Sequence, residues 1–268
     1  MVVELLIKDL LSKGKELRLK ALEMYFNAHA GHIGSTLSCI DIVASVLLLS
    51  KNEEDEFILS KGHAAVALYV TLNKIGKISD EELGTYYKNG TKLPAHPAPN
   101  SINGVSFATG SLGHGLPLSV GIAKSKKLKK DKSTVFVLLS DGETNEGTTW
   151  EASHFANKHK LDNLIVIIDK NKIQGIDFSE NVIGESASFK KLSDLGFEVI
   201  EINGHNVVQI INTIEEIRTH YNGRPKMIIA NTIKGKGVSF MENTVDWHYW
   251  PMSEEQYNQA INEISNAF

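Results

Sequence analysis

Two stretches set the pattern of the chain. Val135-Phe136-Val137-Leu138-Leu139 and Leu164-Ile165-Val166-Ile167-Ile168 are unbroken apolar runs, and each stops abruptly at polar residues, Ser140-Asp141-Gly142-Glu143 and Asp169-Lys170-Asn171. An unbroken run rich in Val and Ile predicts a strand buried on both faces of a parallel sheet, whereas a half-exposed strand alternates. Residues 146–160 between the runs read as a helix. Strand, helix and strand form a right-handed crossover unit. Asp141 and Asn171 then leave the carboxyl ends of neighbouring strands, the edge at which open α/β sheets bind ligands.

Helical spacing of Leu17, Leu19, Leu22, Met24 and Phe26 predicts a long amphipathic helix over 5–28, broken at Gly31-His32-Ile33-Gly34-Ser35. A second helix is expected over 38–49, with Ser38 as its N-cap. Residues 57–60 read as a short strand ending in Lys61-Gly62-His63, and 64–75 as the helix that follows. Ser79-Asp80-Glu81-Glu82 opens a helix over 79–88 with acids in its first turn. Residues 89–105, rich in Gly, Pro and Asn, form a long irregular loop that holds His96-Pro97. Loops of this length in compact domains are usually functional or disordered. A glycine-rich turn over 109–115 precedes a helix over 116–127. Then come a loop over 175–186, a strand over 197–202, a helix over 207–221, a strand over 226–231, a turn over 232–237, a loop over 242–250 with His248, and a closing helix from Ser253. The alternation predicts an α/β fold, a doubly wound and mostly parallel sheet with helices on both faces, in a single domain over 1–268.

The length of 268 residues supports a sizeable core. A net charge of −4 gives no reason to expect a nucleic-acid or membrane partner. The most apolar segment, 40–49, contains Asp41 and is too short to span a bilayer. The start, Met1-Val2-Val3-Glu4, carries no signal-peptide pattern. The one cysteine, Cys39, lies in an apolar run and reads as a core thiol, compatible with a reducing cytoplasm.

Asp141 and Asn171, with Gly142 allowing close backbone approach, suit a hard divalent cation that also carries phosphate oxygens. The same residues serve equally well as a turn former and a helix cap, and spacing does not separate the two readings. Five histidines, His32, His63, His96, His114 and His248, adjoin Gly, Pro or aromatic residues in expected loops. One such histidine is commonly a surface residue. Five at breaks between elements point to a site, because imidazole titrates near neutrality and hydrogen-bonds phosphate, hydroxyl and carbonyl oxygens. Zinc is the rival reading, but no two of them have ligand spacing and no cysteine cluster supports them. The turn over 110–115 has the composition of a phosphate-cradling loop without the dinucleotide or P-loop pattern. Lys234-Gly235-Lys236-Gly237 reads either as a solvated basic turn or as a phosphate contact. Glu143, Glu146 and Glu151 favour the dipole of the crossover helix, which explains them without any function.

Taken in order, these motifs resemble the thiamine-diphosphate-binding half of the transketolase family. Ser140-Asp141-Gly142 running to Asn171 is similar to the family's Gly-Asp-Gly followed by a distant Asn. Gly31-His32-Ile33-Gly34 is similar to its Gly-His-Pro-Gly, Ser60-Lys61-Gly62-His63 to its Ser-x-Gly-His, and Thr109-Gly110-Ser111-Leu112-Gly113 to its Thr-Gly-Pro-Leu-Gly. The resemblance implies that Asp141, the Asn171 side chain and the Ile173 carbonyl bind Mg2+ (or Ca2+ or Mn2+), which holds the diphosphate. It implies that His63, Gly110, Ser111, Leu112, Gly113, Gly142 and Glu143 lie against the cofactor, with Leu112 beside the thiazolium ring. His32, His96 and His248, with His63, would face a donor sugar as the catalytic proton-transfer and hydrogen-bonding groups. Glu146 and Glu151 match acids at a subunit interface. Ala98, Tyr249, Ser111 and Ile33 depart from the family's Glu, Gly, Pro and Pro, and Tyr249 puts the role of its neighbour His248 in question.

The chain stops at Phe268, where the family's first domain would end. The resemblance therefore implies the amino-terminal subunit of a split transketolase, cytoplasmic, paired in a heterotetramer with a second chain. That chain carries the pyrimidine-binding domain and its glutamate. The implied reaction passes a two-carbon ketol unit between sugar phosphates. Within the cofactor class the alternatives are a keto-acid decarboxylating component and a chain like deoxyxylulose phosphate synthase. A non-catalytic metal–phosphate module is the alternative outside it.

Overall fold

The computed structural model describes residues 2–184 and 188–267. Glu185 and Ser186, the end of the loop expected over 175–186, lie outside these. Helices α1 (Val2–Ala28), α2 (Ile33–Ser45), α3 (Ala65–Lys74), α4 (Asp80–Leu83), α5 (Gly115–Leu128), α6 (Gly147–Lys158), α7 (Ser179–Val182), α8 (Phe189–Asp194), α9 (Val207–Ile217) and α10 (Glu254–Ala267) are interleaved with strands β1 (Glu56–Leu59), β2 (Val135–Ser140), β3 (Leu164–Lys170), β4 (Glu198–Asn203) and β5 (Lys226–Asn231). The strands form one sheet in the order β1-β2-β3-β5-β4, with every pair parallel.

The two apolar runs are β2 and β3, buried along their whole length. Their alternate residues feed two cores, as the two-residue strand period requires. Phe136, Leu138, Ile165 and Ile167 pack in a core shared with α1, α2, α3, α9 and α10. Val135, Val137, Leu139, Val166 and Ile168 pack in a second core with α5, α6 and α8. Both faces of the sheet are thus covered, which is why neither run alternates.

Three expectations are corrected. The second helix begins at Ile33, not at Ser38, and its N-cap is His32 in a left-handed conformation (φ 74°). The break is therefore residues 29–32, and Ser38 points its hydroxyl across to Asp169 instead of capping. The helix expected over 79–88 is only Asp80–Leu83. Its capping box, Ser79 with Glu82, is present, but the chain turns at Gly84 and Tyr86 is drawn into the core. The apolar segment, expected to be too short for a membrane, extends through a π-turn at Val46–Ser50 to 18 helical residues over Ile33–Ser50 with mean hydropathy 1.9. By length and composition alone it could cross a bilayer, yet every residue of α2 is buried within the fold. Its one acid, Asp41, is clamped by Arg18 of α1 at 2.8 and 2.6 Å.

Candidate active site

Because the strands run parallel, their carboxyl ends share one edge. Register pairs Ser140 with Asp169, so Asp141 and Asn171 emerge side by side. Asp141 is fastened by backbone: its Oδ2 accepts from Lys172 N at 2.7 Å and from Ser179 Oγ at 3.2 Å, and its Oδ1 from Gly142 N at 2.9 Å. Burial, and then the neighbouring Asp169 carboxylate, push Asp141 up to about 6. A carboxylate held this firmly, yet penalised for its charge, is a site that a cation would relieve. Asn171 Nδ2 donates to Ser38 Oγ at 3.2 Å, while its Oδ1 accepts from Ile173 N at 3.1 Å. Carboxylate and amide oxygens in this corner are the hard donors that Mg2+ takes. Among the described residues no group of three or more His, Cys, Asp and Glu is arranged to hold a metal, so the zinc reading has no support.

Beneath this corner lies a buried ion pair that the motifs do not announce. Lys61 and Asp169 are in contact with both side chains fully buried. Burial opposes each charge, but each partner outweighs it: Lys61 is held above its usual value and Asp169 below. Asp169 also accepts from Ser38 Oγ at 2.5 Å and from Thr232 Oγ1. Pairs of this kind fix geometry more than they add stability. This one ties the ends of β1, β3 and β5 to α2. The turn over 232–237 is braced from behind as well. His205 Nε2 accepts from Ile233 N at 2.9 Å, so Nδ1 carries the proton and donates to Asp41 at 3.0 Å.

Four of the five loop histidines gather in one cluster. The His32 ring centroid lies 5.6 Å from His63, 5.6 Å from His96 and 4.9 Å from His248. His114 stays outside, exposed and turned onto its own Ser111 and Leu112 carbonyls. Burial comes first among the causes that lower all four: His32 to about 4 (helped by His96), His248 to about 3 (helped by Lys234), His63 well below its ordinary value, and His96 by burial alone. The cluster is therefore four neutral imidazoles at pH 7. His32 Nδ1 and Gln174 Nε2 are buried without a hydrogen-bond partner. Buried polar groups are rarely left so, and a polar ligand atom would satisfy them. The left-handed backbone of His32 is itself held by donation from His32 N to the His248 carbonyl at 2.8 Å.

The remaining expected residues surround this cluster. His96 packs on Gly110, where φ is 131° and an added Cβ would sit 2.5 Å from His96 Cδ2. Glu143 is fully buried and accepts from Ser60 Oγ at 2.5 Å, Ser140 N at 2.9 Å and Gly113 N at 3.0 Å, so it anchors the 110–113 turn to β1 and β2. Leu112 is half-buried and Ser111 exposed in that turn. Glu146, the N-cap of α6, and Glu151, within that helix, are exposed. Of the 234–237 turn, Lys236 pairs with Glu242, whereas Lys234 is buried and donates to His248 Nδ1 at 2.8 Å and to the Gln174 carbonyl at 3.2 Å. Sequence reasoning missed Lys61, Asp169 and Ser38. Asp169 alone had a signal, the charged pair Asp169-Lys170 that closes the otherwise apolar β3; Lys61 and Ser38 had none.

The transketolase thiamine diphosphate-binding domain family matches residues 12–265. The chain is 38% identical to an apulose-4-phosphate transketolase subunit of Actinobacillus succinogenes, over 96% of each chain. It is 33% identical, again over 96% of each, to a 6-deoxy-6-sulfo-D-fructose transketolase subunit of a Clostridium species. Among solved structures, the transketolase of Campylobacter jejuni superposes with a TM-score of 0.86 at 31% identity, covering 96% of this chain but 43% of that one. The chain thus spans less than half the length of the solved transketolases it matches. With a family match over nearly its whole length and near end-to-end likeness to these separate transketolase subunits, it belongs to the transketolase family, as the amino-terminal, thiamine diphosphate-binding subunit.

Proposed function

We propose that the chain, with a second polypeptide, transfers a two-carbon ketol unit from a ketose phosphate to an aldose phosphate. The observation that carries this reading is the cluster of four neutral imidazoles on the same sheet edge as the Asp141–Asn171 corner. Thiamine diphosphate, when bound, supplies the nucleophilic carbon that exchanges the bond between C2 and C3 of the ketose. Asp141, Asn171 and the Ile173 carbonyl hold the Mg2+ that grips the diphosphate. Gly142 and the turn over 110–113, with His63, form the bed for the cofactor, and Glu143 fastens that bed. His32, His63, His96 and His248 hydrogen-bond the sugar hydroxyls, since each neutral ring offers one N–H donor and one acceptor nitrogen, and pass protons along those bonds.

A second chain carrying a pyrimidine-binding domain completes the site, in a heterotetramer, with residues 1–268 acting as one domain. The relatives named for apulose 4-phosphate and for a sulfosugar support an unusual sugar substrate for this chain too. The buried single thiol, Cys39, suits a cytoplasmic setting. The test is reconstitution. The purified chain alone should bind thiamine diphosphate with Mg2+ weakly and transfer nothing, and co-expression with a pyrimidine-binding transketolase chain should restore transfer. Efficient turnover by the chain alone would sink the split arrangement.

A further inference from the structure

Tyr249 is a large aromatic that is 59% exposed, yet its place is set by close approaches on two sides. A Cβ at Gly31 would sit 2.5 Å from the Tyr249 carbonyl oxygen, and a Cβ at Gly175 would sit 2.6 Å from its phenol oxygen. The ring meets His248 at 4.6 Å and His32 at 5.6 Å between centroids. A loosely held surface side chain needs none of these contacts. The same added Cβ at Gly175 would sit 3.4 Å from His248 Nε2, so the phenol and the second nitrogen of His248 both abut Gly175. In the neighbouring His32 ring, Nδ1 is buried and unpartnered. An exposed aromatic ring thus lies against two imidazoles of the cluster, one of which has a buried nitrogen free to bond.

Resting on the ketol-transfer reading, we propose that Tyr249 sets the upper length of the ketose donor by closing the open side of the histidine cluster. A donor whose reacting end is held at the histidines must pass its remaining carbons beside the phenol ring. Each added carbon beyond the ring then loses either contact with the histidines or room. Discrimination of one methylene by a pocket wall is worth about 10–200-fold, and an exposed ring should lie near the low end of that range.

The experiment uses the complex reconstituted with a pyrimidine-binding transketolase chain, thiamine diphosphate and Mg2+. The readout is the ratio of kcat/KM for D-xylulose 5-phosphate to that for D-sedoheptulose 7-phosphate, which share a terminal phosphate and differ in length. In Tyr249→Gly this ratio should fall about tenfold. In Tyr249→Phe, which keeps the ring, it should stay at the wild-type value. A ratio unchanged in Tyr249→Gly overturns the proposal, and so does an equal fall in Tyr249→Phe, since the hydroxyl and not the ring would then discriminate. The same two sugars are titrated calorimetrically against the complex without cofactor. If the complex shows no turnover even when thiamine diphosphate and Mg2+ are present, length-dependent affinity that Tyr249→Gly abolishes would keep the Tyr249 assignment and overturn the ketol-transfer reading. Equal affinities for both sugars in the wild type would overturn the Tyr249 assignment itself.

Discussion

Lys234 Nζ lies 2.8 Å from His248 Nδ1, and the lysine is the largest charged influence on that imidazole. Burial, then Lys61, in turn push Lys234 down to about 7. We expect Lys234→Met to raise His248 from about 3 by about one unit or more, because a unit charge at this distance is worth more than 1 kcal/mol in a partly buried setting. Burial would still hold the ring below its ordinary value. Ring-proton shifts of His248 followed against pH would check this, and an unmoved titration would leave burial as the whole cause.

Asp141 makes the cation corner and costs the metal-free protein stability. Its folded value of about 6 exceeds the ordinary 3.8, so it binds a proton more tightly folded than unfolded. Its contribution is full below pH 3.8 and is lost as pH rises through about 6. Asp141→Asn should therefore stabilise the metal-free chain at pH 7, by up to about 3 kcal/mol, and make no difference near pH 3.5. The same variant should lose Mg2+-dependent binding of thiamine diphosphate. Urea unfolding at the two pH values and calorimetry with Mg2+ read the two effects separately. An unchanged cofactor affinity would return Asp141 to the role of a turn former.

Glu143 gathers three donors from three segments, Ser60, Ser140 and Gly113. Glu143→Ala leaves them without their acceptor in a buried place. Each such group costs about 1–3 kcal/mol, so we expect a loss of about 3 kcal/mol or more in urea unfolding. Cofactor affinity should fall too, because the 110–113 turn loses its anchor. A variant of near-normal stability would mean that water replaces the carboxylate.

His96 is half-buried and sits on the turn without bonding to the cation corner. His96→Ala should lower the rate of ketol transfer by about a hundredfold or more while sparing thiamine diphosphate affinity. A wild-type rate of donor cleavage would remove His96 from the site.

Much of this fold could be read from the chain because β2 and β3 are covered on both faces, and an unbroken apolar run satisfies that position. Asp141 and Asn171 were legible for the same reason, as members of the short polar clusters at which the two runs stop. The start of α2 was not, since a left-handed non-glycine residue at His32 depends on a hydrogen bond to the carbonyl of distant His248. Residues 85–88 looked helical, and only packing shows Tyr86 leaving the helix for the core. The Lys61–Asp169 pair contradicts the usual absence of charges from cores, so no local rule finds it. His114 has the same glycine-flanked setting as the others, and only the tertiary structure turns it away.

The bond from His32 N to the His248 carbonyl joins the first eighth of the chain to its last tenth. A nascent chain can form α1, α2 and most of the sheet before residue 248 emerges, but it cannot close the histidine cluster. Long-range closure of this kind is slow and comes late. We expect the His32 amide to gain hydrogen-exchange protection after the β2 and β3 amides during refolding, so that an incomplete chain stays unable to seize the cofactor during synthesis.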